Sequence, residues 1–219
     1  MNTSLPLRTK PLLRGVSHQI AAFVAAPASI ALVAAARGPV ARTGAAMYGV
    51  SLFTLFLVST IFHRPTWSPG VRSWIGRLDN SAVFLFIAGT YTPICLLLGG
   101  SEGHALLAVA WTGAVLGIVL TVAWPNAPKP LMAGIYVLLG WVFAPAFAGL
   151  RIAMGREGVR LLILGGVAYT IGALVYGLRR PDPLPRVFGY HEIFHLLVIV
   201  GAVCHFLVVR GAVSRLGTP

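Results

Sequence analysis

Acidic side chains are scarce in this chain. Asp and Glu together number 5 in 219 residues, and all formally charged types make up only 10% of it. A soluble domain draws roughly a quarter of its residues from those types, so the composition argues against one. Cysteine is nearly absent as well. Cys95 and Cys204 lie far apart in sequence, each within an apolar stretch. There a thiol usually behaves as a small buried hydrophobe and says little about redox compartment. No repeat of solenoid period is evident. What fills the chain instead is apolar: 57% of residues are hydrophobic and the mean hydropathy is +0.84.

The apolar residues gather into seven segments. They predict helices at about 18–36, 44–63, 79–99, 105–124, 131–150, 161–178 and 191–209. Each approaches the roughly 20 residues that cross about 30 Å of hydrocarbon. Proline and glycine punctuate the gaps, at Pro65, Pro69 and Gly70, at Pro125, Pro128 and Pro130, and at Pro181, Pro183 and Pro185. Only short loops remain. The expected architecture is therefore all-α, one polytopic domain over residues 1–219 forming a seven-transmembrane helical bundle. Gly89 and Pro93 fall inside the third segment, where close packing by small residues is the simplest reading.

The net charge of +12 comes from 17 Lys and Arg residues lying between the apolar segments. That placement suits lipid headgroups rather than nucleic acid, which calls for basic patches interleaved with exposed aromatics in polar sequence. A cytoplasmic N-terminus divides the cations ten to seven in favour of the inner side, Arg8 and Lys10 among the ten. The expected location is the inner (plasma) membrane. Ala34-Ala35-Ala36 resembles a signal-peptide cleavage site, but the apolar stretch before it is long and contains Pro27. A retained first helix is the expectation.

Against this apolar background, His191-Glu192-Ile193-Phe194-His195 stands out at the start of the last segment. On a helix the two histidines share a face, and neutral imidazoles so placed can share a divalent metal. Ser59 and His63 are likewise four apart, at the end of the second segment, and Asp79 opens the third. Alternating crossings bring these three helix ends to one side, near the cytoplasmic face under the N-inside orientation. His63, His191 and His195 are then candidate zinc ligands that leave a fourth position for water. Zinc lowers the pKa of such a water toward about 7. Asp79 is a candidate general base and Ser59 a candidate for orienting a ligand or oxyanion. Glu192 competes for the base role through the His-Glu-x-x-His pattern. It lies about 100° around the helix from His191, and a juxtamembrane acid near Arg186 is its simpler reading.

Ser59-x-x-x-His63, Arg77-Leu78-Asp79, Ala88-Gly89-Thr90-Tyr91-Thr92-Pro93 and His191-Glu192-Ile193-Phe194-His195 together resemble haemolysin III proteins. These form the bacterial branch of the progestin and adipoQ receptor family. The resemblance covers nearly the whole chain. It implies a seven-helix bundle, zinc near the cytoplasmic face, and kinship with a membrane-hydrolase superfamily that includes alkaline ceramidases. It also implies His63, His191 and His195 as ligands, with Asp79 and Ser59 beside them. Two departures stand out. Asn80 follows the aspartate where relatives often have histidine, and no glutamate or asparagine precedes His18. An outer role for His18 competes with a capping or headgroup-facing one. His205 lies roughly 15 Å along the helix from His195, too far to share its metal. His104, beside Glu102, reads as a solvated loop residue.

Three functions fit these residues. The first is zinc-dependent hydrolysis of a lipid amide or ester by zinc-bound water, with membrane lipid as environment and substrate. The second is a non-catalytic sensor or regulator whose zinc staples helices. The third is membrane lysis, for which no long amphipathic segment or secretion module is seen. An intramembrane metalloprotease lacks a helix after the pentapeptide to supply a third carboxylate ligand.

Overall fold

The computed structural model describes residues 10–217, so Arg8 lies outside the described residues. Seven α-helices follow one another: α1 (Val16–Ala35), α2 (Gly38–His63), α3 (Pro69–Leu98), α4 (Gly100–Ala123), α5 (Lys129–Gly140), α6 (Phe147–Leu178) and α7 (Tyr190–Leu216). Proline stands in the first turn of α2, α3 and α5. Its missing N–H is one that a helix start leaves unpaired anyway, and its fixed φ suits the first turn. The chain is all-α, as the long apolar segments predict.

Large apolar side chains cover the outside of the bundle. Phe23 is 75% exposed, Ile30 71%, Leu138 73% and Ile152 87%. Such a surface is stable against lipid and costly against water. Six helical runs of the described chain are long and apolar enough to cross a membrane. The chain is a multi-pass membrane protein.

That number corrects the expected seven spans. The predicted fifth and sixth helices, 131–150 and 161–178, belong to one 50-residue run from Lys129 to Leu178. Within it α5 stops after 12 residues. At 1.5 Å per residue it is about 18 Å long, too short to cross alone. A 3-10 turn at Ala144–Ala146 follows, where Pro145 brings no N–H to continue the helix. Then α6 runs on for 32 residues, bent at Gly155 with φ 76°. Arg151, Arg156 and Arg160 therefore lie in α6, not in a loop. Hydropathy is continuous across these breaks, so an apolar count could not place them. Helix α3 also begins ten residues before its predicted start at 79, carrying Arg72 and Arg77 into the helix.

Helix α2 sits against α1, α3 and α7, and α7 also packs on α6. Tyr48, Leu52, Leu55 and Phe56 of α2 meet Phe86 of α3 and Val198 and Ala202 of α7 in one apolar core. Small residues set how closely α2 and α3 approach. A Cβ on Gly89 would lie 2.1 Å from Ser51 Oγ. Pro93 is accommodated inside a continuous α3, flanked by Thr90 and Thr92, whose hydroxyls donate to the carbonyls of Phe86 and Ala88. This packing brings the end of α2, the first turns of α7 and the early part of α3 together.

Candidate metal centre

His63 ends α2, and His191 and His195 occupy the first two turns of α7. The entry to α7 is firmly held. Asp182 Oδ1 accepts the Tyr190 N–H at 3.0 Å, and Glu192 Oε2 accepts the Gly189 N–H at 2.8 Å. The three imidazoles are buried and each offers a nitrogen within 4.8 Å of the others. His63 Nε2 and His191 Nε2 are 3.1 Å apart. Tetrahedral zinc with bonds of 2.0–2.1 Å separates its ligand atoms by about 3.4 Å, so this donor set fits such an ion. At most one proton fits between those two nitrogens, so at least one of them presents a lone pair there. By geometry and donor type the cluster could hold a metal ion.

Asp79 Oδ2 stands 3.8 Å from His63 Nε2. Ser59 lies one turn back from His63 on α2, and its Oγ is 2.8 Å from His18 Nδ1. The Ser59 hydroxyl also lies beside the Asp79 carboxyl. The structure thus brings all five sequence candidates, Ser59, His63, Asp79, His191 and His195, into one neighbourhood.

His18 joins them. Its ring stacks on His195 with centroids 3.8 Å apart and planes 8° from parallel. Its Nε2 is buried without a partner. The ring therefore faces the cluster and neither caps α1 nor reaches headgroups. The sequence carried a signal for this, since His18 falls at the same depth as Ser59.

Glu192 is taken out of the cluster by its partners. One oxygen accepts from Arg14 Nε and the other from Gly189 N. The sequence reading named Arg186 as its neighbour; Arg14 fills that place. Arg186 instead offers its backbone carbonyl to Leu12 N at 3.0 Å, while Val187 O accepts Leu13 N at 3.2 Å. Lys10 Nζ donates to Arg64 O at 2.7 Å. Residues 10–15 thereby strap the N-terminal end across the histidines. Gly15 closes the strap with φ 78°, and a Cβ there would lie 2.6 Å from His63 Cβ. Positive charge is concentrated here. The Lys10 ammonium is lowered from its ordinary value by burial first, then by Arg64, Arg72 and Arg14.

The histidines open onto a cavity of about 640 Å³, within the roughly 300–1,000 Å³ of small-molecule sites. Its far part is walled by Ile94, Phe143 and Leu162. His205 lines it too, donating from Nε2 to the Leu162 carbonyl at 3.1 Å, well apart from the cluster as its spacing predicts. His104 is exposed, but it sits in the first turns of α4 and donates from Nδ1 to Gly100 O.

Comparison with known proteins adds a second line of observation. The profile of the family described as "Haemolysin-III related" matches residues 7–206. Hemolysin-3 of Bacillus cereus is 35% identical over 202 residues, covering 90% of this chain and 89% of that protein. The Hemolysin-3 homolog of Bacillus subtilis (strain 168) is 30% identical over 206 residues, or 90% and 92% of the two chains. The human Monocyte to macrophage differentiation factor is 27% identical over 166 residues, 73% of this chain and 66% of its own length.

Proposed function

The chain belongs to the haemolysin III family, and on that premise we propose that it is a zinc-dependent hydrolase of a lipid amide or ester. The observation that carries the reading is the opening of three convergent imidazoles, with Asp79 beside them, onto a cavity with an apolar far wall. A buried histidine cluster alone serves structure equally well. A cluster with a carboxylate at the head of a lipid-sized cavity is arranged for chemistry.

His63, His191 and His195 hold zinc in this reading. Zinc, when bound there, supplies Lewis acidity at neutral pH. The acyl chain lies toward Ile94 and Phe143 and excludes bulk water from that end. Asp79 Oδ2 accepts a proton from the attacking water and returns it to the departing amine or alcohol. The acyl bond breaks, a new C–O bond forms, and the products are a carboxylate and the protonated leaving group. Ser59 and His18 position Asp79. When His18 Nδ1–H donates to Ser59 Oγ, the Ser59 hydroxyl proton remains for the Asp79 carboxylate. We place the cluster at the cytoplasmic face of the plasma membrane, because Arg64, Arg72, Arg77 and Lys129 gather at that end.

A structural zinc is the competing reading, favoured by the nearness of Asp79 as a fourth ligand at 3.8 Å from His63. One set of proteins separates the two. Wild type purified in detergent should carry about one zinc per chain, lost in His63→Ala and in the His191→Ala/His195→Ala double variant. Asp79→Asn should keep zinc and lose turnover of ceramide-like or acyl-lipid substrates. Zinc lost in Asp79→Asn would make the carboxylate a ligand and the site a closed staple.

A further inference from the structure

The mouth of the cavity carries cations in excess of the carboxylates beside them. Arg14, Arg72, Arg77 and Lys129 line it, against the single carboxylate of Asp79. Arg14 is paired with Glu192. The other three have no carboxylate partner among the described residues. They rest on aromatic rings instead: Arg72 4.7 Å from the centre of Phe62, Arg77 4.3 Å from Trp74, Lys129 4.9 Å from Tyr176. Arg77 Nε is buried and has no hydrogen-bond partner. A buried donor without an acceptor is costly, and an acceptor supplied by a ligand removes that cost. Cations at a membrane boundary fix orientation wherever they stand. That rule does not ask them to line the cavity that holds the histidines.

Helix α3 puts the cavity wall in order. Arg72, Asp79, Val83, Ile87 and Ile94 all face it. At 1.5 Å per residue, positions 72 and 77 lie about 3 to 10 Å along the helix axis from Asp79, on the side away from Ile94. A ligand laid along this face meets cations first, then the Asp79–histidine cluster, then apolar wall. An acyl glycerophosphate presents the same order: phosphate, acyl carbonyl, hydrocarbon.

Resting on the hydrolase reading above, the geometry points to an acyl lipid with a phosphate head as the substrate class, its phosphate held by Arg72, Arg77 and Lys129. Guanidinium forks match phosphate oxygens, and an ammonium adds a point charge beside them. The phosphate anchors the head at the mouth and so presents the acyl carbonyl to the cluster. Hydrolysis breaks the acyl C–O bond, forms one to the water oxygen, and passes a water proton to the departing alcohol.

The test compares binding of oleoyl lysophosphatidic acid and oleoylglycerol, which share a chain and an ester and differ by the phosphate. Binding is read by native mass spectrometry in uncharged detergent on chelator-treated protein. The result therefore stands or falls apart from zinc and from turnover. We expect the phosphate lipid to bind about tenfold or more tightly, as charge-assisted bonds predict. Arg72→Ala/Arg77→Ala/Lys129→Ala should abolish that preference. Arg151→Ala/Arg156→Ala/Arg160→Ala removes the same charge from the first half of α6, outside the cavity lining, and should leave it intact. Arg77→Gln and Lys129→Gln, taken singly, should each reduce it severalfold and serve if the triple variant does not purify. Inorganic phosphate alone should not displace the lipid at concentrations where the lipid is bound. Equal binding of the two lipids, a preference that survives the cavity variants, equal loss in the control variant, or ready displacement by free phosphate would each overturn the proposal.

Discussion

Gly15→Ala should damage the metal centre from a distance, through His63. Gly15 has φ 78°, and a Cβ at this position would stand 2.6 Å from His63 Cβ. Two costs follow. The left-handed backbone costs an alanine about 1–2 kcal/mol. The collision adds about 1–3 kcal/mol, because the end of α2 must retreat by about 1 Å to restore an ordinary contact. Metal ligands tolerate displacement of only about 0.2 Å. The expected loss of zinc affinity is therefore about ten- to hundredfold, comparable to losing a group that orients a ligand. Gly38 supplies the control. It also has φ 78°, yet nothing lies within 4 Å of its would-be Cβ. Gly38→Ala should pay the backbone strain alone, lowering Tm by a few degrees with zinc affinity unchanged. The assay is zinc competition against a chromophoric chelator, with Tm measured in the same detergent. If Gly15→Ala binds zinc as tightly as Gly38→Ala, the strap does not position His63 and the reasoning fails.

Three further outcomes follow from the same geometry. Glu192→Gln should keep its zinc and its turnover while losing about 1–3 kcal/mol of stability, because both carboxylate oxygens are engaged by Arg14 and Gly189 rather than by the cluster; turnover lost with zinc retained would return the base role to Glu192. Removing the metal by chelation should lower Tm, since a ligand present at about 1,000 times its Kd contributes about 4 kcal/mol. Acidification should release zinc as protons take the imidazole lone pairs, and an unchanged Tm on chelation would mean the histidines are packed without a metal.

The site was largely legible in the sequence because its residue types are expensive in lipid and sit at helical spacing. His191 and His195 are one turn apart, as are Ser59 and His63, and polar residues at apolar helix ends announce themselves. The companions that required tertiary packing were not. Arg14 finds Glu192 across 178 residues, and no local pattern distinguishes it from Arg186. His18 falls on the side of the cluster by sequence, but its contact with His195 exists only once α1 packs on the bundle. In the fold, helix identity followed from composition, whereas the number of crossings did not. Hydropathy registers that Lys129 to Leu178 is apolar, but the break at Trp141–Ala146 comes from a backbone that Pro145 cannot continue and a bend that Gly155 permits. Pro65, Pro69 and Gly70 read as a break that leaves Arg72 and Arg77 ahead of the third segment, yet Pro69 is the first residue of α3.

The separation of the ligands along the chain has a consequence for biogenesis. His63 and His191 are 128 residues apart, and α7 is the last helix among the described residues. At about 5–20 residues per second, roughly 6 to 25 seconds pass between synthesis of the two. No nascent chain that has yet to insert α7 can present the complete donor set. A metal held by all three imidazoles would thus report that α2 and α7 have both been made and packed together, and metal load would read the integrity of α7.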